Sequence, residues 1–126
     1  MPELLNKKQI LIVDDEEMIR ELLEEIISSL GHTSESASNG ISGLEMIAGN
    51  SNYNLVILDM NMPLMDGKQC YAEIRKTDKA MKIIMSSGMD SEETQSVFGS
   101  DPNLYFVQKP YSLAAISQTI NKALGV

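Results

Sequence analysis

The chain holds a single cysteine, Cys70, so an internal disulfide is excluded, and so is a cysteine-rich metal site. A reducing cytoplasm is the compartment expected for it. Basic residues are also scarce. Ten Lys and Arg stand against eighteen Asp and Glu, for a net charge of −8. Nonspecific nucleic-acid binding relies on cations that neutralise phosphates, and this balance argues against it. It argues equally against an anionic membrane surface. No apolar run approaches a membrane span, and the opening "MPELLNKKQILIVDD" has no apolar stretch ending in a cleavage site, so neither a span nor a signal peptide is expected. Internal repeats, low-complexity tracts and Pro/Gly/Ser linkers are missing too. The 126 residues therefore read as one domain, 1–126, with its core at about 8–124.

What is present is an alternation. "QILIV" (9–13), "LVILD" (55–59), "KIIMS" (82–86) and "LYFVQ" (104–108) are short apolar runs with strand character. "HTSESAS" (32–38) is polar and counts as an edge strand only because the alternation needs one there. Between the strands, residues 16–31 carry apolar side chains at 18, 19, 22, 23, 26, 27 and 30, a helical spacing that Gly31 ends. Further helices are expected over 39–49, 67–77, 91–99 and 112–124, the last opened by a Ser112 cap. The fourth of these five helices is expected to be short. Five strands alternating with five helices imply an α/β fold, a parallel sheet with helices on both faces. The continuous apolar runs suit strands buried on both sides.

In such sheets, ligands bind beyond the carboxyl ends of the strands. Those positions hold Asp14 and Asp15 after the first strand, Asp59 at the third, Ser86 and Ser87 at the fourth, and Lys109 with Pro110 after the fifth. Any one of the acids or serines could be a helix cap. Together they place three carboxylates, hydroxyls and an ammonium at four strand ends. Clustered carboxylates repel one another and call for a cation. Oxygen donors in small number suit Mg²⁺, which keeps several waters and favours phosphate chemistry. A lysine there can meet phosphoryl oxygens as a point charge, and an Asp can be the nucleophile that forms an acyl phosphate.

The motifs "ILIVDDEE", "LVILDMNMPLMDG", "IIMSSG" and "FVQKPYS" together resemble the receiver domain of two-component response regulators, of the kind found in chemotaxis regulators. The resemblance spans nearly the whole chain. It implies a flavodoxin-like doubly wound five-stranded sheet in the order 2-1-3-4-5. It implies that Asp59 takes a phosphoryl group from a phosphohistidine on a sensor histidine kinase or histidine phosphotransfer protein. Mg²⁺ would be held by Asp15, by Asp14 mostly through water, by Asp59 and by the backbone carbonyl of Asn61. Ser87 would bond to the phosphoryl group, and Lys109 would pair with it. Ser87 is preferred to Ser86 because Gly88 follows it at the family's small-residue position. Phe106 would be the aromatic that swings inward when Ser87 moves. The output surface would comprise the fourth helix, fifth strand and fifth helix, including Val97, Phe98, Phe106 and Tyr111, and would meet an unidentified downstream protein. The Lys109–Pro110 bond is expected to be cis. The charged residues that a DNA-binding branch of the family uses to dimerise are missing from this surface, so a monomer is expected.

Other residues receive plainer readings. The methionines at 60, 62, 65, 85 and 89 read as core or loop filling, Cys70 as an inert packing residue and His32 as an exposed connector. Glu16, Glu17, Glu21, Glu24 and Glu25 read as a solvated helix face. The resemblance implies a signalling module rather than an enzyme, with at most self-phosphorylation from small donors and slow self-dephosphorylation. A phosphatase of the haloacid dehalogenase type is the alternative from another class. It needs a second acid two residues after the nucleophile, where this chain has Asn61. A flavin site would need a phosphate-cradling first loop, and "DDEE" would repel a phosphate. An interaction-only receiver would not need the complete set of site residues. The chain is either a stand-alone regulator or a receiver from a longer protein.

Overall fold

The computed structural model describes residues 7–50 and 52–126. The opening "MPELLN", read above for a leader, lies outside the described residues. In chain order the elements are β1 (Gln9–Val13), α1 (Glu17–Ser29), β2 (Thr33–Ala37), α2 (Gly40–Gly49), β3 (Leu55–Asp59), α3 (Gly67–Thr77), β4 (Lys82–Ser87), α4 (Ser91–Phe98), β5 (Leu104–Gln108) and α5 (Leu113–Leu124). All strand pairs are parallel and the order is β2-β1-β3-β4-β5. This is the flavodoxin-like arrangement.

Side chains on a strand alternate between its two faces, so a strand covered on both must be apolar at every position. That is the case for residues 10–13 of β1 and 55–58 of β3. Leu11, Val13, Val56, Leu58, Ile83 and Met85 pack on one face with Cys70 and Ile74 of α3. Ile10, Ile12, Leu55, Ile57 and Ile84 pack on the other with Leu23, Ile26 and Ile27 of α1 and Ile116, Ile120 and Ala123 of α5. Burying each large aliphatic side chain contributes about 1.5–3 kcal/mol, so these two layers hold the sheet. The polar β2 forms as an edge strand against β1, in the register Gln9↔Thr33 to Val13↔Ala37. Its Glu35 accepts a hydrogen bond from the Tyr53 hydroxyl.

Four of the five helix starts, all but that of α1, carry side-chain caps. Asp66 accepts from the Gln69 N–H at 2.8 Å while the Gln69 side chain accepts from the Asp66 N–H at 3.0 Å, a closed capping box at α3. Asn39, Asp90 and Ser112 cap α2, α4 and α5 through single bonds. The Ser112 cap agrees with the sequence expectation. His32 differs from it. The side chain is buried rather than exposed, and Nδ1 accepts from the Lys8 N–H at 3.1 Å, which ties the start of β2 to the segment entering β1. Burial, helped by the nearby Lys8 charge, lowers its pKa from the ordinary histidine value.

Gly67 brings α3 against the end of β3. A Cβ there would lie 2.5 Å from the Asp59 carbonyl oxygen and 2.7 Å from the Met60 Cα, both backbone atoms that cannot move aside. Its N–H also donates to the Met60 carbonyl at 2.9 Å. We expect Gly67→Ala to destabilise the fold by about 3 kcal/mol or more. Gly49→Ala, where nothing lies within 4 Å of the added atom, should be neutral or slightly stabilising. Urea unfolding of the two variants beside the wild type checks the contrast.

Candidate functional site

The strand ends converge at one pole. Asp14 follows β1 and is buried, with its N–H bonded to the Ala37 carbonyl at 3.2 Å. Its Oδ1 accepts from the Glu16 N–H at 2.9 Å, and its carbonyl accepts from the Arg20 guanidinium at 2.8 Å. Asp59 ends β3 and is 3% exposed. Its Oδ1 accepts from the Asn61 N–H at 3.1 Å. Neither buried aspartate is simply a helix cap. The Lys109 ammonium reaches Asp14 Oδ2 at 3.0 Å, Glu16 Oε1 at 3.3 Å and Asp59 Oδ1 at 3.4 Å. The Lys109–Pro110 peptide is cis. Between β3 and α3 the Met65 N–H bonds to the Pro63 carbonyl at 2.8 Å, closing a tight turn around Leu64 at φ 70°.

Asp14, Asp15, Glu16 and Asp59 can each offer a carboxylate oxygen such that all four lie within 4.8 Å of one another. Among the described residues, the one buried side-chain polar atom without a hydrogen-bond partner is Asp59 Oδ2. A buried acceptor left unpaired beside other carboxylates is costly unless a cation meets it. The donor set is all oxygen, which fits a hard divalent cation such as Mg²⁺. The electrostatics agree. Burial, and then the neighbouring Asp14 charge, push the Asp59 carboxyl up to about 7, against the opposing pull of the Asn61 N–H and Lys109. Burial tends to lower the Lys109 pKa, but its hydrogen bond to Asp14 and the charges of Asp14 and Asp59 outweigh it and raise the value.

Four expected residues are thus brought to one spot: Asp14, Asp15, Asp59 and Lys109. Asn61 joins them through its backbone N–H. Ser87 ends β4, buried, and its Oγ accepts from the Met89 N–H at 3.0 Å, so it is engaged with its own loop. Phe106 is part-buried on the α3 side of the sheet, its ring centroid 6.2 Å from that of Phe98. Phe98 in turn meets Tyr71 of α3 edge-on at 5.0 Å. Tyr111 lies elsewhere than expected. It packs with the α1 and α5 layer, and its hydroxyl is 2.5 Å from Ser86 Oγ. Glu16 and Arg20 are site neighbours that sequence reading missed. Glu16 follows the acidic pair directly, which was a usable signal. Arg20 gave none, because its bond is to a backbone carbonyl.

A family profile described as the response regulator receiver domain matches residues 10–121. The chain is 31% identical over 117 residues to the chemotaxis protein CheY of Halobacterium salinarum, covering 93% of this chain and 97% of that one. It is 29% identical to the sensor kinase CckA of Brucella abortus, covering 97% of this chain but only 13% of that longer protein. Among solved structures, a chain in the complex of histidine kinase ThkA with response regulator protein TrrA superposes with a TM-score of 0.81 at 36% identity, covering 93% of this chain and 98% of that one.

The raised carboxyl has a measurable consequence. In the folded chain Asp59 titrates near 7, against 3.8 for the ordinary group, so the folded state binds the proton more tightly. Its contribution to stability is complete below 3.8 and is lost as pH rises through about 7. We expect Asp59→Asn to stabilise the metal-free protein at pH 8 by about 1–3 kcal/mol, and by much less at pH 5. Urea unfolding in the presence of chelator at the two pH values measures the difference.

Proposed function

Because this chain belongs to the response regulator receiver domain family, a signalling module of two-component systems, we propose that it is a phosphorylation switch whose acceptor is Asp59. The observation that carries this reading is the buried, unpaired Oδ2 of Asp59 inside an acidic cluster within reach of a lysine. In the proposed reaction a carboxylate oxygen of Asp59 forms the new O–P bond as the N–P bond of a phosphohistidine breaks. The leaving imidazole keeps that electron pair and departs neutral, its other ring nitrogen retaining its proton. Asp14, Asp15, Asp59 and the Asn61 carbonyl would hold Mg²⁺, which when bound neutralises charge on the transferring phosphoryl group. Lys109, now shared among Asp14, Glu16 and Asp59, would turn to the phosphoryl oxygens. Ser87 would exchange its Met89 N–H for a phosphoryl oxygen, drawing the loop after β4 inward. Phe106, packed beside Phe98 of α4, would follow and reshape the α4–β5–α5 surface.

The energetics are adequate. Taking a population from mostly off to mostly on needs about 5.5 kcal/mol of differential interaction. Charge-assisted hydrogen bonds supply about 1.5–3 kcal/mol each, and Lys109 and Ser87 would make several. The donor would be a sensor histidine kinase or a histidine phosphotransfer protein. Met18, Leu64 and Leu113 are exposed apolar residues around the strand-end pole, which suits protein docking there. The output partner would be a protein bound through α4–β5–α5, the chain acting as a monomer in the cytoplasm without direct contact to nucleic acid or membrane. No helix among the described residues is long and apolar enough to cross a membrane. A dehalogenase-type phosphatase is disfavoured by Asn61, which cannot serve as the general acid.

Intact-protein mass after incubation with acetyl phosphate tests the reading. The expected result is a single phosphate adduct that requires Mg²⁺ and is lost in Asp59→Asn. A folded protein that takes up no phosphate under any of these conditions would instead indicate an interaction-only receiver.

A further inference from the structure

The bond between Ser86 and Tyr111 has no part in the scheme above. Ser86 is the register partner of Asp59 on β4 and is buried. Its carbonyl accepts from the Met60 N–H at 2.8 Å, tying it to the residue just after Asp59. Tyr111 lies two residues beyond Lys109, and its hydroxyl is 2.5 Å from Ser86 Oγ. The ring is seated among apolar residues of α1 and α5 and lines a groove of about 400 Å³ with Leu22, Ile26, Leu113 and Ile116. Burial raises the phenol pKa, so the hydroxyl keeps its proton at neutral pH.

The sheet order explains why the bond matters. Lys109 leaves the end of β5, while its partners Asp59 and Asp14 stand at β3 and β1. Strand β4 lies between, so the lysine must reach across it, over about 10 Å at the usual strand spacing. Its ammonium arrives on target only if the turn after β5 is fixed relative to β4. Two bonds fix it. The Lys109 N–H donates to the Ser87 carbonyl at 2.7 Å, and Tyr111 bonds to Ser86. The turn is therefore pinned to consecutive residues of β4 at the lysine itself and two residues beyond it.

We propose that Ser86 and Tyr111 are a positioning pair for Lys109, their hydrogen bond setting the turn from which the ammonium meets the Asp59 carboxylate and the phosphoryl group it takes. The inference rests on Asp59 being the phosphoacceptor. Neither residue touches the transferred group. Both act through the lysine.

The test uses the full chain as Ser86→Ala, Tyr111→Phe, the double variant, Lys109→Ala and Lys109→Ala with Tyr111→Phe. Two quantities are read: the thermal unfolding midpoint and the initial rate of phosphate uptake from acetyl phosphate at saturating Mg²⁺. Each single variant leaves one buried hydroxyl unpaired, and the double leaves none, so the double should unfold closer to wild type than either single. Its uptake rate should nevertheless remain as low as that of the singles, about ten- to a hundredfold below wild type, a loss typical of a misplaced catalytic group. On the Lys109→Ala background, Tyr111→Phe should cause no further loss. The proposal is overturned if the double variant regains the wild-type rate along with its stability, if the singles match wild type, or if Tyr111→Phe slows uptake equally with Lys109 absent. If wild-type protein takes up no phosphate, the acceptor reading fails and this one falls with it, an outcome distinct from variants that match a competent wild type.

Discussion

Mutual repulsion of carboxylates held out of water is the constraint on which this structure turns. Asp14 and Asp59 are both buried, Asp15 and Glu16 stand beside them, and one ammonium, Lys109, faces three of the four. Oppositely charged neighbours favour ionised forms and like charges oppose them. The Arg20 guanidinium bonds to the Asp14 backbone carbonyl, and Lys109 meets Asp59 only at Oδ1, so Asp59 Oδ2 is left without a partner. The site is electrostatically incomplete in a way that a divalent cation would relieve. That incompleteness is also what would let a small chemical event bias the whole domain.

The fold exists in a form that makes this cluster possible. A parallel sheet directs every strand's carboxyl end to one pole, and the sheet order β2-β1-β3-β4-β5 sets β1 and β3 side by side there. Two apolar layers keep the strands dry and bring the aspartates in with them. Gly67 lets α3 close against the Asp59 carbonyl. Lys109 arrives from β5, beyond β4, so its placement depends on bonds to β4 rather than on strand pairing alone.

Much of this was legible in the sequence, for identifiable reasons. Strands covered on both faces carry continuous apolar runs, so residues 10–13 of β1, 55–58 of β3 and 83–85 of β4 announce themselves. The site residues were legible because four strand ends carried charge or hydroxyls where apolar runs stopped. Strand β2 was legible only through the alternation, since an edge strand has few positions to bury. The burial of His32 is not legible, because its polar partner is the backbone N–H of Lys8, which no side-chain pattern encodes. Glu16 is exposed as its place on a solvated helix face implies, but its contact with Lys109 is not legible, because helical periodicity says nothing about a lysine 93 residues away. Tyr111 was placed on the output face, whereas its side chain turns to the α1–α5 layer, a direction set by its bond to Ser86.

The central claim is that burial and like charge hold the Asp59 carboxyl partly protonated until a cation arrives. The direct measurement is a pH titration of the Asp59 side-chain carboxyl carbon by ¹³C NMR, with chelator and then with Mg²⁺. The account predicts a midpoint near 7 in the metal-free protein and a large downward move when Mg²⁺ is added. A metal-free midpoint at the ordinary 3.8, or one that Mg²⁺ does not shift, would contradict it.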